Sequence, residues 1–248
     1  MGFKIVKKEK LNSVTTLFKI EAALIAEEAK AGQFIVLRIG ERSERIPLTV
    51  VKKDPKKGII TIIFQEAGKT TQELALLKEG DSISDLIGPL GKETDFGKAG
   101  RVVFVGGGVG VAEILPVIEY AKSKGNEILA IIGARSGELI ILEEDLRKFV
   151  PELIVTTDDG SYGRKGLVTL PLEEILKKGS IDLVYCVGPD IMMKVVSEFT
   201  KKYGVKTLVS LDANMVDATG MCGTCRVKVG GEVKFTCVDG PEFNGHLV

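Results

Sequence analysis

The amino-acid sequence predicts an antiparallel β-barrel, then an α/β doubly wound parallel sheet, then a small cysteine-rich C-terminal lobe. Residues 1–97 contain short runs of β-branched and aromatic residues separated by turn signals, which is typical of antiparallel strands. Residues 98–210 alternate apolar strands with helical stretches, which favours a parallel sheet. Residues 211–248 are too short for a core of their own and carry three of the four cysteines.

Composition and charge exclude several classes of protein. The 248 residues include 34 basic and 34 acidic side chains, so the formal net charge is zero. A balanced charge gives no electrostatic footprint for nucleic acid or for an anionic membrane. Apolar runs are far shorter than the roughly 18 residues that span a bilayer, and the first eight residues lack the apolar segment of a signal peptide. We therefore expect a globular, cytoplasmic protein that binds neither nucleic acid nor membrane.

The barrel region is expected to contain six strands and one helix. The expected strands cover residues 2–11, 14–22, 33–39, 46–51, 58–64 and 82–86, and the helix covers 70–77. Many short strands with a single helix favour a small antiparallel barrel. A glycine- and proline-rich stretch at 88–100 is the expected linker to the next region.

The second region is expected to alternate five strands with four helices. The strands are predicted at 101–105, 127–132, 153–157, 183–187 and 206–209, and the helices at 111–123, 138–149, 172–178 and 191–203. Strands rich in Val and Ile that alternate with helices are typical of a sheet covered on both faces.

The first strand of this region runs into the glycines of Gly106–Gly110 and then into a helix. Exposed amides at a helix start bind anions such as a pyrophosphate, although tight packing also explains such glycine runs. The Gly-x-Gly-x-x-Gly fingerprint is not met, because Val111 occupies its last position. Arg135, after the second strand, could stabilise a 2′-phosphate or could be a solvated surface residue.

Further candidates follow the third and fourth strands, at the carboxyl ends where ligands bind in open α/β sheets. Cys186 could equally be a small core residue, because free cysteine is often buried. The predicted NAD(P)-binding residues are Gly107, Gly108, Val109, Gly110, Arg135, Asp158, Cys186, Gly188 and Pro189.

The C-terminal cysteines follow a spacing typical of a metal centre. Five positions before Cys222 stands Asp217, so the segment reads Asp217-x4-Cys222-x2-Cys225-x11-Cys237. The plant-type [2Fe–2S] spacing is Cys-x4-Cys-x2-Cys…Cys. We therefore predict a [2Fe–2S] cluster with these four residues as ligands. Two alternatives stay open: a structural zinc held by the three thiolates with an Asp or with His246, and free cysteines that bind nothing.

Two motifs in the barrel region suit a flavin nucleotide: Arg45 followed by Pro47-Leu48-Thr49, and Gly68–Thr71 at the start of a helix. An Arg can neutralise a flavin pyrophosphate, and a Thr hydroxyl can bond a flavin ring nitrogen. Amides at a helix start can hold the other phosphate oxygens. The predicted FAD-binding residues are Arg45, Pro47, Leu48, Thr49, Ile62, Phe64, Gly68, Lys69, Thr70 and Thr71.

The order of these motifs resembles the ferredoxin reductase-like flavoproteins over nearly the whole chain. That order is Arg-x-Pro-Leu-Thr, Gly-x-x-Thr, Gly-Gly-Gly-x-Gly, Cys-x-Gly-Pro and the cysteine cluster. Among these flavoproteins the chain is similar to the electron-transfer subunit of dihydroorotate dehydrogenase, which normally has four cysteine ligands. Residues 210–227 and 237–243 look closer to the small subunit of NADH-dependent reduced ferredoxin:NADP oxidoreductase, or sulfide dehydrogenase, whose pattern has Asp in the first ligand position.

The resemblance implies an oxidoreductase subunit that binds FAD in residues 1–97, NAD(H) in 98–210 and the cluster in 211–248. NADP(H) stays an alternative to NAD(H), because Arg135 could stabilise a 2′-phosphate. Thr49, which would position the flavin, and Cys186, beside the nicotinamide, are the predicted catalytic residues. The implied complex is an electron-bifurcating heterodimer with a larger glutamate synthase-like flavoprotein. Ferredoxin would exchange electrons with this chain through that complex.

Two other functions compete with this interpretation. The first is an electron-transfer subunit of NAD-dependent dihydroorotate dehydrogenase. The second, from another class, is a non-catalytic scaffold that binds zinc and a nucleotide.

Overall fold

The computed structural model describes residues 2–248, and the chain divides into two compact units. The first unit comprises Met1–Thr94, Asp212–Val227 and Val233–Pro241, and the second comprises Asp95–Leu211, Lys228–Glu232 and Glu242–Val248. The C-terminal residues are thus shared between the two units. The division into domains 1–97, 98–210 and 211–248 stays a prediction.

The first unit is built from antiparallel strands, as predicted. Its strands are β1 (Phe3–Asn12), β2 (Thr15–Glu21), β3 (Phe34–Arg38), β4 (Ile46–Thr49), β5 (Lys52–Asp54), β6 (Ile59–Gln65), β7 (Ser82–Ile83) and β8 (Asp85–Leu90), and its helices are α1 (Ala23–Glu28) and α2 (Lys69–Leu76). They form one sheet of order β5-β6-β2-β1-β7 and a second of order β4-β3-β8. Within residues 2–248 the strand pairing gives two antiparallel sheets and does not close them into the predicted barrel, so the antiparallel part of that prediction is confirmed and the closed barrel is not.

The chain between β4 and β5 joins the two sheets of this unit. The Val50 N–H donates to Gln33 O at 3.2 Å, and the Val51 N–H donates to Thr61 O at 2.9 Å. Alternate residues of β2 and β6 fill the core, where Phe18 and Phe64 meet edge to face with ring centroids 5.3 Å apart. Burying each such ring contributes about 1.5–3 kcal/mol.

The second unit contains the predicted parallel sheet. Its strands are β9 (Arg101–Gly107), β10 (Glu127–Ala134), β11 (Glu152–Thr157), β12 (Arg164–Lys165), β13 (Leu183–Val187) and β14 (Lys206–Ser210), and its helices are α3 (Gly110–Ser123), α4 (Glu143–Arg147), α5 (Thr169–Lys178) and α6 (Asp190–Lys202). The C-terminal elements are β15 (Arg226–Val229), β16 (Glu232–Phe235), α7 (Thr236–Asp239) and β17 (Glu242–Asn244), with 3₁₀ turns at Gly137–Leu139 and Gly245–Leu247.

The strand order of this sheet indicates where a ligand crevice is expected. The order is β12-β11-β10-β9-β13-β14-β17, with all neighbours parallel except β17, which runs antiparallel to β14. The winding direction reverses between β9 and β13. In open α/β sheets, ligands bind outside the carboxyl ends of the strands at this point of reversal.

The predicted helix at 138–149 is wrong over most of its length, because α4 covers only five residues. Leu142 adopts a left-handed backbone with φ 57°, which ends any helix that begins before it. Ile141 is buried, so the chain turns inward there and does not continue along the surface. Helix α1 and strand β5 were not predicted. Within residues 2–248, no helix is long and apolar enough to cross a membrane.

The cysteine-rich segment packs its apolar side chains on a strand of the first unit. Met215, Ala218, Cys225 and Cys237 form a buried cluster with Phe34 and Val36 of β3. This explains how a segment too short for its own core can fold. The hairpin of β15 and β16 turns at Gly230 and Gly231, whose φ values of 60° and 87° favour glycine.

Candidate cofactor sites

Asp217 and Cys222 lie together in the cysteine-rich segment. The Asp217 carboxylate accepts hydrogen bonds from the N–H groups of Thr219 at 2.8 Å and Cys222 at 2.7 Å. These amides lower the pKa of Asp217, and hydrogen bonds from Thr224 lower the pKa of the Cys222 thiol. Both shifts stabilise the anionic form relative to a free side chain, and the anionic form is the one that binds a metal.

Cys225 and Cys237 form a second pair of donors. Their sulfur atoms lie 3.2 Å apart, and both residues are buried. Burial and the neighbouring Cys225 raise the pKa of Cys237 to about 11, because two adjacent thiolates in an apolar setting repel each other. A metal cation would offset that repulsion, since coordinating thiols lose their protons outright.

The four predicted ligands thus fall into two neighbouring pairs. A [2Fe–2S] cluster takes two protein donors on each of its irons, so the donor set fits this group. Among the described residues, no three His, Cys, Asp or Glu side chains converge on a single ion-sized point. His246, the other zinc ligand considered, has its Nε2 atom 3.0 Å from the Thr200 hydroxyl. Which residues bind the cluster stays a prediction.

The loop around these donors depends on residues with left-handed backbones. Ala218, Gly220 and Gly223 have φ values of 57°, 85° and 67°. A Cβ on Gly220 would lie 3.2 Å from the side chain of Val238, so this position is also tight. The Gly220 amide bonds the Cys237 sulfur and lowers the pKa of that thiol. Amides directed at sulfur are a common means of tuning an iron–sulfur centre.

The structure brings the two predicted flavin motifs of the first unit together. Pro47, Leu48 and Thr49 lie on β4, the edge strand of the smaller sheet, where a missing N–H is tolerated. The Thr70 hydroxyl donates to the Glu44 carboxylate at 3.2 Å, so the start of α2 lies beside the residue that precedes Arg45.

The start of α2 leaves an open space that suits a phosphate. The Gly68 N–H donates to the Thr71 hydroxyl at 3.0 Å, and this hydroxyl donates back to Gly68 O at 2.9 Å. A Cβ on Gly68 would meet nothing within 4 Å. Lys69, the first residue of α2, and Arg45, which follows Glu44, are both exposed, and a cation of either kind can bind a phosphate.

Ile62 and Phe64 are placed differently from the other predicted flavin residues. Their side chains are 0% and 1% exposed and belong to the core of the first unit. The pairing of β5 with β6 stops at Thr61, so β5 does not cover the main chain of residues 62–65. A flavin contact at these two positions would therefore use main-chain atoms.

The glycines of the predicted dinucleotide motif mostly allow segments to approach each other. A Cβ on Gly107 would lie 2.5 Å from Met192 Sδ and 3.2 Å from Pro189. A Cβ on Gly110 would lie 2.6 Å from Val187 O. Gly108 is different, because it is exposed, has φ 56° and would meet nothing within 4 Å. Gly108 is thus the glycine of the loop that faces open space.

The other predicted dinucleotide residues lie at the same edge of the sheet. The Gly108 N–H donates to Gly133 O at 2.9 Å, and the Asp158 N–H donates to Ala134 O at 3.1 Å. These two bonds connect the glycine loop, the end of β10 and the end of β11. Arg135 and Asp158 are exposed. Pro189 precedes α6 and lies next to Gly107.

Cys186, a predicted catalytic residue, is fully buried within β13 between Val105 of β9 and Val209 of β14. Burial raises the pKa of its thiol far above the usual range. The thiol is therefore neutral and enclosed by the sheet, as expected for a small core residue. Its role beside a nicotinamide stays a prediction.

A buried hydrogen bond that the sequence did not indicate joins Tyr185 to Glu242. The Tyr185 side chain is 1% exposed, and its hydroxyl donates to the Glu242 carboxylate at 2.8 Å. Burial, reinforced by the charge of Glu242, raises the pKa of Tyr185 well above its usual value. The partners are 57 positions apart in the sequence. They meet because β17, which carries Glu242, pairs with β14, the strand next to β13 and Tyr185.

Tyr185→Phe is expected to lower the free energy of unfolding by about 1–3 kcal/mol, because Glu242 loses a buried donor. Thermal unfolding of the holoprotein would show a melting temperature several degrees lower. Tyr203→Phe changes an exposed ring in the same unit and is the matched control. Equal melting temperatures for the two variants would contradict the expectation.

Comparison with known proteins shows the family and the fold, while the assignment of single site residues stays a prediction. The sequence profile described as the iron–sulfur cluster binding domain of dihydroorotate dehydrogenase B matches residues 212–248. The dihydroorotate dehydrogenase B (NAD(+)) electron transfer subunit homolog of Thermotoga maritima is 43% identical over 99% of this chain and 86% of its own length. The electron transfer subunit of Clostridium perfringens is 32% identical over 98% of this chain and 96% of its own. The chain belongs to the family of dihydroorotate dehydrogenase B electron-transfer subunits.

A solved structure of an NADH-dependent reduced ferredoxin-NADP oxidoreductase superposes on the whole chain. The TM-score is 0.96 at 44% identity, over 100% of this chain and 90% of the other. The predicted ferredoxin reductase-like fold is thereby confirmed, and the chain is an electron-transfer subunit of an oxidoreductase. The iron–sulfur domain and the flavoprotein fold support FAD, a [2Fe–2S] cluster and NAD(H) as its cofactors. Its family implies a larger partner subunit.

Proposed function

We propose that this chain is the small subunit of an electron-bifurcating NADH-dependent reduced ferredoxin:NADP oxidoreductase. In this role it passes electrons between NAD(H), FAD and a [2Fe–2S] cluster. The observation that carries the proposal is the carboxylate of Asp217 beside Cys222, at a position where the predicted ligand set has no cysteine. Asp217 lies beside Cys222, held by the Thr219 and Cys222 amides, at the position where a cysteine stands in the plant-type spacing.

Asp217 and Cys222 would bind one iron, and Cys225 and Cys237 the other. The carboxylate keeps the total ligand charge of four thiolates, since both groups are monoanions. Carboxylate oxygen is a harder donor than sulfur, so the cluster potential would differ from that of a four-cysteine centre. The buried Cys225–Cys237 pair would shield its iron from water, whereas the exposed Cys222 leaves the other side accessible.

In the first unit, Arg45, Lys69 and the amides at the start of α2 would hold the FAD pyrophosphate. Pro47, Leu48 and Thr49 of β4 would line the flavin ring, with the Thr49 hydroxyl bonded to a ring nitrogen. Residues 62–65 of β6 would add main-chain contacts, because β5 does not cover that part of the strand.

In the second unit, the glycine loop and the start of α3 would bind the dinucleotide pyrophosphate. Gly188 and Pro189 would flank it, and Cys186 would lie beneath the nicotinamide as part of the floor of the crevice. When bound, the flavin can accept an electron pair as hydride and release single electrons, which matches a nicotinamide to a one-electron cluster. The chain's own side chains need only bind, orient and exclude water.

The partner we propose is a larger glutamate synthase-like flavoprotein subunit, through which the complex would exchange electrons with ferredoxin. Co-purification from the native source tests this choice. We expect one large flavoprotein, with FAD and about two irons and two acid-labile sulfides on this chain. A large subunit that oxidises dihydroorotate would overturn the choice of complex and leave the electron-transfer role intact.

The dihydroorotate dehydrogenase complex is the second candidate. It is favoured by the profile match over residues 212–248 and by the relatives named for that enzyme. Metal analysis separates both redox candidates from the scaffold interpretation. Zinc without iron or acid-labile sulfide would favour the scaffold, and iron with sulfide would exclude it.

A further inference from the structure

The end of strand β10 carries acidic side chains that come from the neighbouring strand. In the parallel register of β10 and β11, Ala134 lies opposite Thr157, the last residue of β11. The pairing continues past both strands, because the N–H groups of Asp158 and Asp159 donate to the carbonyls of Ala134 and Arg135 at 3.1 and 3.2 Å. The acidic turn, defined as Asp158 and Asp159, therefore lies beside Arg135.

This edge is where the adenosine ribose of a dinucleotide is expected. The Gly108 amide, in the proposed pyrophosphate loop, bonds Gly133 O only two residues before Arg135. In doubly wound sheets the ribose next to the pyrophosphate lies over the end of the second strand. An acid there binds the 2′-hydroxyl of NAD, whereas an Arg accommodates the 2′-phosphate of NADP. Because both residue types meet here, their charges and placement decide the preference.

Hydrogen bonds hold the acidic turn in place. Asp159 Oδ1 accepts hydrogen bonds from the Ser161 N–H at 2.9 Å and from the Ser161 hydroxyl at 2.6 Å. Ser161 Oγ in turn accepts the Gly137 N–H at 2.8 Å, which ties the turn to the segment after Arg135. The bonds from Ser161 lower the pKa of Asp159, so this carboxylate stays charged at neutral pH.

The charges around the ribose position are negative in sum. Arg135 and Lys165, which pairs with Thr157 at the end of β11, supply two positive charges. Asp158, Asp159 and Glu138 supply three negative charges, and all of these side chains are exposed. A 2′-phosphate would bring a further charge of about −1.5 to −2 at pH 7. A ribose hydroxyl brings none and can donate to a carboxylate.

We propose that the acidic turn makes this chain select NADH over NADPH, with Asp158 accepting a hydrogen bond from the adenosine ribose and Asp159 repelling a 2′-phosphate. The proposal rests on the dinucleotide site described under the proposed function. It assigns Arg135 to a contact with the adenosine half of NADH, because its charge is outweighed by the two carboxylates beside it.

Binding of two redox-inactive probes, ADP-ribose and 2′-phospho-ADP-ribose, to the holoprotein tests the proposal by calorimetric titration. The wild type is expected to prefer ADP-ribose at least tenfold. Asp158→Asn and Asp159→Asn should each shrink that preference about fivefold, because each removes one negative charge without changing the side-chain shape. Glu152→Gln is the matched control, since Glu152 is an exposed acid at the opposite end of the same strand. It should leave the preference unchanged.

Two results would overturn the proposal while leaving the dinucleotide site in place. One is a wild type that binds 2′-phospho-ADP-ribose as tightly as ADP-ribose. The other is a double Asp158→Asn, Asp159→Asn variant with the wild-type preference. If neither probe binds a wild type that carries its flavin and iron, the assignment of the dinucleotide site is wrong. The proposed selection of NADH by the acidic turn is then wrong as well. Retained flavin absorbance in every variant shows that the changes have not unfolded the chain.

Discussion

Cys225→Ser is expected to remove the [2Fe–2S] cluster almost completely while leaving the flavin bound. Cys225 is buried with its sulfur 3.2 Å from that of Cys237, so a serine would place a poorer, protonated oxygen donor in an apolar setting. Its hydroxyl would not deprotonate as a thiol does, so one iron would lose an anionic ligand. Iron and acid-labile sulfide should fall from about two each per chain to less than a tenth of that.

The control for this experiment uses the cysteine outside the lobe. Cys186 is fully buried in β13, and Cys186→Ala removes a thiol from the second unit. This variant should keep its iron, its sulfide and the EPR signal of the reduced cluster. If Cys225→Ser kept a full complement of iron, Cys225 would not be a ligand. If Cys186→Ala lost iron as well, the loss would reflect general unfolding and the comparison would fail.

Patterns that act within one segment were predicted well from the sequence. The parallel strands of the second unit are continuous apolar runs, and each predicted strand there lies within about two residues of its observed position. The Asp217-x4-Cys222-x2-Cys225 segment is similarly local, so spacing alone suggests its residues as cluster ligands, and that assignment stays a prediction. The helix predicted at 138–149 is wrong over most of its length because Leu142 adopts a left-handed backbone, which the local pattern does not indicate.

Features that depend on pairing between distant segments could not be predicted. No acid follows Arg135 directly in the sequence, yet Asp158 lies beside it because β10 and β11 are in register. Tyr185 and Glu242 meet only because β17 joins the sheet next to β14. The core positions of Ile62 and Phe64 likewise follow from the two sheets that enclose them.

The glycine loop shows how one motif serves packing and binding at once. Sequence alone cannot separate glycines that face a ligand from glycines that let two segments touch. The structure separates them, because an added Cβ would strike main-chain atoms at Gly110 and open space at Gly108. Substituting the two positions one at a time therefore separates the effect of disturbed packing at Gly110 from the effect of a methyl group in open space at Gly108.

Gly110→Ala is expected to destabilise the second unit and to weaken dinucleotide binding at least tenfold. The added methyl would lie 2.6 Å from Val187 O and 2.8 Å from Val187 C, and main-chain atoms cannot rotate away. Overpacking of this kind costs about 1–3 kcal/mol. It would also push the start of α3 away from the Gly188 segment by several tenths of an ångström. Because the amides at the start of α3 are proposed to bind the pyrophosphate, we expect this displacement to weaken NADH affinity at least tenfold.

Gly108→Ala is the matched comparison, because its methyl meets no atom within 4 Å and its φ of 56° costs an alanine only about 1–2 kcal/mol. We expect both variants to lose comparable stability, but only Gly110→Ala to move the helix that is proposed to bind the pyrophosphate. Melting temperature and NADH titration on the same samples therefore separate loss of stability from loss of the site. Equal NADH affinity in the two variants would show that the packing of α3 against β13 does not shape the crevice. A larger loss in Gly108→Ala would mean that the ligand lies directly against the exposed glycine and fills the space that its methyl would occupy.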